Sequence, residues 1–347
     1  MKNVVIKGVH GFFPSKITSN KSIAGLIGKN NIWGNKSEKI QTVLGVRKRL
    51  MACRFTEDGF PDKNISEVDL VIQAASKALV EAKCTREEIG LLIVVSGIAP
   101  SSLSKFGSEV AHALQLGETA SVMQLSQACA GFLSALGVAE GLLRGNYLRM
   151  LTNNKKVLIV ASNHSSKLAH RTLYLEANAV SSLIVFGDGA GAIVLDMEET
   201  ESGIKGFLEI SNSSPENALI SLVPGKTTGN ELVALRIEGN AVMNQYVTGM
   251  TRVVRALEEL CPEAKNADHY FFHQPREALV DHLIYALNID RRKVPSIVEA
   301  VGNIGQVFIP ILMAKQMKRG KIKIGDRIVC ATIGDGNKIC SMFYRIP

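Results

Sequence analysis

Residues 126–143 read SQACAGFLSALGVAEGLL, and this cysteine segment carries the clearest structural signal in the first half of the chain. Cys129 stands among small residues, directly before an apolar segment of helical length. A thiol at a helix N-terminus lies at the positive end of the helix dipole, which favours the thiolate. Small neighbours leave the sulfur accessible and let backbone N–H groups approach a bound carbonyl. The segment therefore predicts a nucleophile at the start of a helix.

Most cysteines are inert packing residues, and the pattern around Cys129 is what separates it from the others. The remaining five are scattered and include no CxxC pair, so the sequence predicts neither a zinc site nor a disulfide framework. We expect these five to be structural: Cys53, Cys84, Cys261, Cys330 and Cys340.

Around the cysteine segment, short β-branched runs alternate with longer segments of helical period. The runs 4–6, 91–95, 157–161 and 327–332 are typical of buried strands. Helices are predicted over 66–82, where Ser66 precedes two acidic residues, and over 243–260. This alternation predicts an α/β protein with helices layered on sheets.

The order of features repeats along the chain. In the first half a helix and a strand precede Cys129, and a further strand is expected to lead into Gly187-Asp188-Gly189. In the second half a helix and a strand precede His273, Asn303 opens a helix, and a strand leads into Gly334-Asp335-Gly336. The repeat predicts an N-terminal half, residues 1–200, that carries the cysteine, and a C-terminal half, residues 201–347, that carries the histidine and asparagine.

His273 and Asn303 are the two candidates from the second half. His273 follows three aromatic residues at the expected end of a strand, where a side chain can enter a cleft. A lone histidine is more often a satisfied or surface residue. Asn303 lies between Gly302 and Gly305, which suggests a tight turn that presents the amide, although helix capping is the ordinary role of asparagine. The other histidines are assigned to the ordinary class: His10, His112, His164, His170, His269 and His282.

At these residues the chain resembles the β-ketoacyl-acyl carrier protein synthase III family, over nearly its whole length. Residues 128–132 match the family's ACAGF nucleophile motif, and His273-Gln274 matches its histidine motif. The stretch 302–310 resembles the family's asparagine motif, and FGDGAGA at 186–192 is another hallmark, as are Gly239-Asn240 and the C-terminal glycine loop. The resemblance implies the thiolase fold, an α-β-α-β-α arrangement of layers with two pseudo-symmetric halves, and a homodimer.

The resemblance also implies a two-stage reaction. An acyl thioester first transfers its acyl group to Cys129; a malonyl thioester, which loses carbon dioxide, or a β-ketoacyl thioester then supplies the carbanion that attacks that group in a Claisen condensation. His273 and Asn303 would stabilise the enolate, and backbone N–H groups of Cys129 and of the loop with Asp335 and Gly336 would form the oxyanion hole. The substrates would be CoA or phosphopantetheine thioesters of fatty-acid or polyketide-type biosynthesis, and no metal or organic cofactor is expected.

Departures from the family pattern favour a specialised relative. Lys39 and Val43 stand where family members that use free CoA have a Trp and an Arg against the adenine nucleotide, and Trp33 is out of register. The chain is therefore expected to make a polyketide, an alkylresorcinol or a similar secondary product, or to accept an acyl carrier protein as donor. Asp335 replaces a glycine of the C-terminal loop, which would alter the oxyanion hole.

Two further residues carry weaker predictions. Arg276 follows the histidine motif and could contact an acidic carrier protein, although a solvated arginine is an equal interpretation. Phe106 lies near the position of a family phenylalanine that crosses the dimer interface and closes the partner's acyl pocket. A packing role for Phe106 carries equal weight, because most aromatic residues serve packing.

Composition limits the remaining classes of function. The formal charge of +8 suits an acidic partner such as a carrier protein. The basic stretches lack interleaved aromatic residues, which argues against nucleic-acid binding. No apolar run is long enough to cross a bilayer and no signal peptide is evident, so we expect a soluble cytoplasmic protein that does not bind membranes.

Three other functions remain open at this point. The same fold could pass the acyl group from Cys129 to an oxygen or nitrogen nucleophile, although relatives of that kind often lose the asparagine. It could join two thioesters without decarboxylation, for which no base can be assigned from sequence. The chain could also be the non-catalytic subunit of a heterodimeric condensing enzyme, although it retains the cysteine, histidine and asparagine.

Overall fold

The computed structural model describes residues 2–27, 33–34, 36–55, 61–62, 65–97, 105–147, 156–168, 183–211, 220–224, 233–237, 239–334 and 338–347. Their strands are β1 (Lys2–Phe12), β2 (Ile17–Ser19), β3 (Lys48–Leu50), β4 (Arg54–Phe55), β5 (Pro61–Asp62), β6 (Ile89–Ser96), β7 (Ser121–Leu125), β8 (Lys156–Asn163), β9 (Gly189–Glu199), β10 (Gly203–Ser211), β11 (Ile220–Pro224), β12 (Val233–Ile237), β13 (His269–Phe272), β14 (Arg327–Gly334) and β15 (Lys338–Arg345). Their helices are α1 (Asn20–Ile27), α2 (Ser37–Leu44), α3 (Glu67–Glu81), α4 (Lys105–Ala113), α5 (Gly131–Arg144), α6 (Gly239–Leu260), α7 (Glu277–Leu287), α8 (Val298–Val301) and α9 (Phe308–Lys318).

Two sheets with the same pattern of strands organise the chain. The first has the order β1-β9-β8-β6-β7, with β6, β7 and β8 parallel and β9 antiparallel to both β1 and β8. The second has the order β10-β15-β14-β13, with β13 parallel to β14 and β15 antiparallel to both β10 and β14. Apart from β7, the two sheets therefore match strand for strand in order and direction, as the sequence repeat predicts.

Both faces of the central strands are buried, and this explains their unbroken apolar runs. Alternate residues of β6 face opposite sides: Leu91 and Ile93 join the cluster that contains α5 and α9, while Leu92 and Val94 join the cluster that contains α3 and α4. In the second sheet β14 also presents residues to the α5/α9 cluster, and its opposite face packs on α6 and α7. Helices α5 and α9 thus lie between the sheets, which confirms the α-β-α-β-α layers of the thiolase fold.

Two local expectations differ from the structure. Among the described residues no strand leads into Gly187, because residues 183–185 are helical and Phe186 forms only an isolated β-bridge with Asn303 before β9 begins at Gly189. Gly187 and Asp188 instead donate their N–H groups to the carbonyls of Asn303 and Leu50. The counterpart of β7 is also absent from the described part of the second half, since the residues just before Asn303 form the short helix α8.

The boundary between the halves stays a prediction; β9 ends at Glu199 and β10 begins at Gly203. None of the helices in the described residues has the length and apolar character needed to cross a membrane.

Candidate active site

Cys129 lies in a strained turn between the first sheet and the central helix layer. After β7 the chain forms a 3₁₀ turn, Ala128–Ala130, and α5 follows at Gly131. Ala128 has a φ of 43°, a left-handed conformation that costs energy outside glycine and is frequent at functional sites. A Cβ added at Gly131 would lie 2.6 Å from Val95 Cγ1, so the start of α5 approaches β6 as only glycine allows. The half-buried Cys129 therefore lies at a helix N-terminus, as the sequence predicts.

Residues of the second half of the chain contact the Cys129 turn directly. Thr332 in β14 donates its hydroxyl to the Cys129 carbonyl over 2.8 Å. A Cβ added at Gly334, the last residue of β14, would lie 2.6 Å from the backbone nitrogen of Ala130. The turn that carries the thiol is thus packed against the end of β14.

His273 is the first residue after β13 and is buried with a neutral ring. Its backbone N–H donates to the Ala331 carbonyl over 3.1 Å, and the residue is only 5% exposed. The ring centroids of Tyr246 and Phe308 lie 6.2 Å and 5.9 Å from that of the imidazole. Burial lowers the pKa of His273 to about 4, although the contact with Asn303 acts in the opposite direction. The imidazole is therefore uncharged at neutral pH.

Asn303 lies in a turn that the FGDGAGA segment holds in place. Gly302 and Gly305 both adopt positive φ, 81° and 54°, which is why glycines flank the asparagine. The backbone of Asn303 accepts from Gly187 over 2.9 Å and donates to the Val185 carbonyl over 2.8 Å. This bonding explains how a motif more than a hundred residues earlier fixes the asparagine turn.

The side chains of Asn303 and His273 meet in the site. The Asn303 Oδ1 atom accepts the Gly305 N–H over 2.9 Å and lies 3.4 Å from His273 Nε2. Because a carbonyl oxygen can only accept, we assign the imidazole proton to Nε2. The amide Nδ2 of Asn303 and the Nε2–H of His273 are then two neighbouring hydrogen-bond donors.

The close approach of Cys129 to Gly305 places the thiol near Asn303 and His273. A Cβ added at Gly305 would lie 3.7 Å from Cys129 Sγ and 2.9 Å from Asn163 Oδ1. The sulfur therefore lies beside the turn that carries Asn303, and Asn303 in turn contacts His273. The three residues predicted for catalysis come together between the two halves.

Two family models match the chain, and they do so around these residues. The model for 3-oxoacyl-(acyl-carrier-protein (ACP)) synthase III covers residues 123–213, and the model for the C-terminal part of the same enzymes covers residues 257–346. The chain belongs to the 3-oxoacyl-(acyl-carrier-protein) synthase III family. The first model contains Cys129 and the second contains His273 and Asn303.

Full-length relatives agree with this assignment to the synthase III family. The β-ketoacyl-(acyl-carrier-protein) synthase III of Bradyrhizobium diazoefficiens is 26% identical over 339 residues, 96% of this chain and 95% of that protein. The enzyme of the same name from Microcystis aeruginosa is 27% identical over 358 residues, 99% of this chain and 97% of that protein.

Solved structures are similar over the same length. 3-Oxoacyl-(acyl carrier protein) synthase III, FabH, from Pseudomonas aeruginosa PAO1 superposes with a TM-score of 0.80 at 25% identity and covers 99% of this chain and 98% of that one. A single-residue variant of OleA from Xanthomonas campestris superposes with a TM-score of 0.84 at 23% identity, with the same coverage, and shares the fold.

Of the other site residues predicted for this synthase III member, the structure describes Phe106 and Arg276. Phe106 is fully buried in α4, in the cluster with α3 and β6, a position that fits the packing interpretation; its pocket role stays a prediction. Arg276 is the N-cap residue of α7, and its buried Nε has no hydrogen-bond partner in the described chain. Its contact with a carrier protein stays a prediction. Asp335 and Gly336, predicted for the oxyanion hole, lie outside the described residues.

The remaining cysteines behave as expected of structural thiols. Burial raises the pKa of Cys84 to about 11 and that of Cys340 to about 12. It also raises the pKa values of Cys53, Cys261 and Cys330. Among the described residues no three His, Cys, Asp or Glu side chains are grouped as metal ligands.

Sequence reasoning missed several polar residues that shape the site. Gln306 is buried and donates Nε2 to the backbone carbonyls of Val95, at 3.3 Å, and of Ser162. Asn163 donates to the Gly187 carbonyl over 2.6 Å and lies against Gly305. Tyr246 donates to the backbone carbonyl of His273. No local pattern marks these residues, because each acts on a segment distant in the sequence.

Proposed function

We propose that this synthase III family member is a condensing enzyme that carries an acyl group on Cys129 and extends it by decarboxylative Claisen condensation. The observation that carries the proposal is the meeting of three groups: a thiol at a helix start, a neutral imidazole and an amide. The neutral state of His273 adds to this support, because a neutral ring with its proton on Nε2 donates a hydrogen bond without supplying a charge.

The first half-reaction is acyl transfer. The Cys129 sulfur attacks the carbonyl carbon of an acyl thioester, a new C–S bond forms, and the original thiol leaves with the proton that the cysteine gave up. The N-terminal dipole of α5 favours the thiolate, and the backbone N–H of Cys129 is a donor for the tetrahedral oxyanion. Asn303 and His273 have no necessary part in this step.

The second half-reaction is decarboxylation and condensation. The bond between the malonyl carboxylate and the α-carbon breaks, and its electron pair forms an enolate as carbon dioxide leaves. The donors His273 Nε2–H and Asn303 Nδ2–H stabilise the enolate oxygen. The α-carbon then attacks the acyl carbonyl on Cys129, and collapse of the tetrahedral intermediate expels the cysteine thiolate and yields a β-ketoacyl thioester.

The substrate proposal follows from the part of the surface that carries Trp33, Lys39 and Val43. Lys39 Nζ lies 5.2 Å from the centroid of the Trp33 ring, so a cation covers the indole here. Val43 is exposed and contributes no charge to this part of the surface. We therefore favour an acyl carrier protein thioester as donor, and a specialised polyketide-type or alkylresorcinol-like product over primary fatty-acid initiation from CoA.

The partner proposal rests on charge and on an unpaired sheet edge. The net charge of +8 would attract an acidic carrier protein. Within the described chain, β7 is an edge strand that pairs only with β6, and a second copy could add to this edge. Sedimentation velocity of the pure protein tests the homodimer: we expect twice the monomer mass, and a single species at the monomer mass would contradict it.

The test of the proposed function is acyl loading measured by intact-protein mass spectrometry. The protein is incubated with acyl-CoAs and acyl carrier protein thioesters of varied chain length, alongside Cys129→Ala and the control Cys84→Ala. We expect the mass of one acyl group on the wild type and on the Cys84 variant, and none on Cys129→Ala. Loading that persists without Cys129 contradicts the nucleophile assignment, and no loading from any donor favours a non-catalytic subunit.

A further inference from the structure

Tyr246 joins the helix layer outside the second sheet to the candidate histidine. It lies in α6, is fully buried, and its hydroxyl donates to the backbone carbonyl of His273. Burial raises the pKa of the phenol, so the hydroxyl keeps its proton and remains a donor. The residue has no place in the two half-reactions as written above.

The hydrogen bond from Tyr246 acts where the strand ladder ends. The last register pair of the ladder is Phe272 with Ala331, and the N–H of His273 still reaches the Ala331 carbonyl. The carbonyl of His273 lies beyond the ladder and is bound by the phenol instead. The two bonds fix the peptide groups on both sides of the His273 Cα, and therefore the direction in which its side chain leaves the backbone.

The imidazole depends on this support more than most functional histidines do. A histidine ring is usually oriented by an acceptor at the nitrogen that does not act. Here Nδ1 of His273 is buried without a hydrogen-bond partner in the described part of the chain. The ring of Tyr246 meets the imidazole edge-on, with an interplanar angle of 66°, and Phe308 packs against it at 59°. Backbone and aromatic contacts thus take the role that a carboxylate or carbonyl normally has.

We propose that Tyr246 is a positioning residue for the condensation step: it aims the His273 Nε2–H at the enolate oxygen through its bond to the His273 carbonyl. This inference rests on the proposed function. It requires that Tyr246 matter for decarboxylation and condensation, and not for acyl transfer to Cys129, which does not use His273.

The test compares Tyr246→Phe with Tyr344→Phe. The first change removes one hydroxyl and keeps the ring against His273. The second removes an equally buried hydroxyl, which accepts the Ile6 N–H over 2.9 Å on another side of the fold. Acyl loading is followed by intact mass, and the condensation rate is expressed per acyl-loaded enzyme, so that any unfolded fraction cancels.

We expect Tyr246→Phe to load Cys129 at the wild-type rate and to lose about tenfold in kcat for condensation, with a smaller change in KM for the malonyl thioester. Tyr344→Phe should leave both half-reactions unchanged. Wild-type condensation by Tyr246→Phe, or an equal loss in both half-reactions, would overturn the proposal. Failure of the wild type to load at all would instead contradict the proposed function itself.

Discussion

At the scale of single residues, the proposed chemistry depends on a histidine that stays neutral because it is buried. His273 makes its polar contact with the Asn303 oxygen, and both residues are about 5% exposed. A charged imidazole would lose its hydration here without a carboxylate to replace it. Keeping the imidazole neutral therefore lowers the stability of the folded chain at acid pH, and this loss of stability can be measured.

We predict that His273 makes the fold sensitive to acid below about pH 6.5. The pKa of this residue is about 4 in the folded chain and near 6.5 in an unfolded one. The unfolded state therefore takes up the proton first as the pH falls, and stability that is complete above pH 6.5 is lost between 6.5 and 4. The full loss is about 3 kcal/mol in the free energy of unfolding.

Urea unfolding of wild type and His273→Asn between pH 7 and pH 5 measures this effect. The wild type should lose about 2 kcal/mol more than the variant over that range. Parallel pH profiles of the two proteins would show that burial does not hold the imidazole neutral.

We also predict that Gly305→Ala slows acyl loading of Cys129 by at least about tenfold. An alanine at this position would crowd Asn163 Oδ1 at 2.9 Å and approach the sulfur. The matched control is Gly320→Ala, because Gly320 also has a positive φ, 63°, but an added Cβ there meets no atom within 4 Å. Both variants carry the same backbone strain, so equal loading rates in the two would contradict a role for this close approach.

The proposed catalytic trio could be chosen from sequence because each member lies in a short local pattern. Cys129 is marked by small neighbours, and Asn303 by the glycines that its turn requires. Tyr246 could not be predicted, because its bond to His273 spans 27 positions and joins a helix to a strand end. In the sequence, Tyr246 looks like one more apolar position on a helix that packs on a sheet.

At the scale of elements, α3 begins with the cap that its sequence predicts, and its first turn is hydrogen-bonded to strands near the proposed site. Ser66 caps the helix and forms a reciprocal capping box with Asp69, as the acidic start of the segment suggests. Glu67, one of the two acidic residues at the helix start, is buried. It accepts from the hydroxyls of Ser96 at 2.6 Å and Ser162 at 2.7 Å and pairs with Lys167. It therefore ties α3 to the ends of β6 and β8, beside the active site.

We predict that Ser66→Ala lowers the free energy of unfolding by about 1 kcal/mol, because the Asp69 N–H loses its acceptor. Ser76→Ala is the control, since Ser76 is an exposed position within the same helix where alanine is the better helix former. Thermal or urea unfolding measures both variants. A loss of equal size in the two would show that the cap contributes nothing specific.

The same scale shows why some elements could be predicted and others not. The apolar runs that became β6, β8 and β14 were predictable because both faces of their sheets are buried. The strand expected before Gly187 is wrong because the backbone there bonds to the asparagine turn and to Leu50 rather than to a sheet. A glycine-rich segment gives no sign in its own sequence of which distant backbone it will meet.

At the scale of the whole molecule, the site is a product of two equivalent sheets and one shared helix layer. The first half supplies Cys129 at the start of α5, and the second supplies His273 after β13 and Asn303 before α9. Such a division suits the proposed two-stage reaction, with the thiol on one half and the proposed enolate donors on the other. The duplicated order could be predicted from sequence, whereas the loss of a β7 counterpart before Asn303 could not.

The most direct test of decarboxylative condensation is a single turnover of acyl-loaded enzyme with a malonyl thioester that is isotopically labelled in its free carboxylate. We predict that labelled carbon dioxide and β-ketoacyl thioester form in equal amounts as the acyl mass leaves Cys129. We also expect Asn303→Ala to load the acyl group but to release little carbon dioxide. Transfer of the acyl group to an oxygen or nitrogen nucleophile without release of carbon dioxide would contradict the proposed reaction.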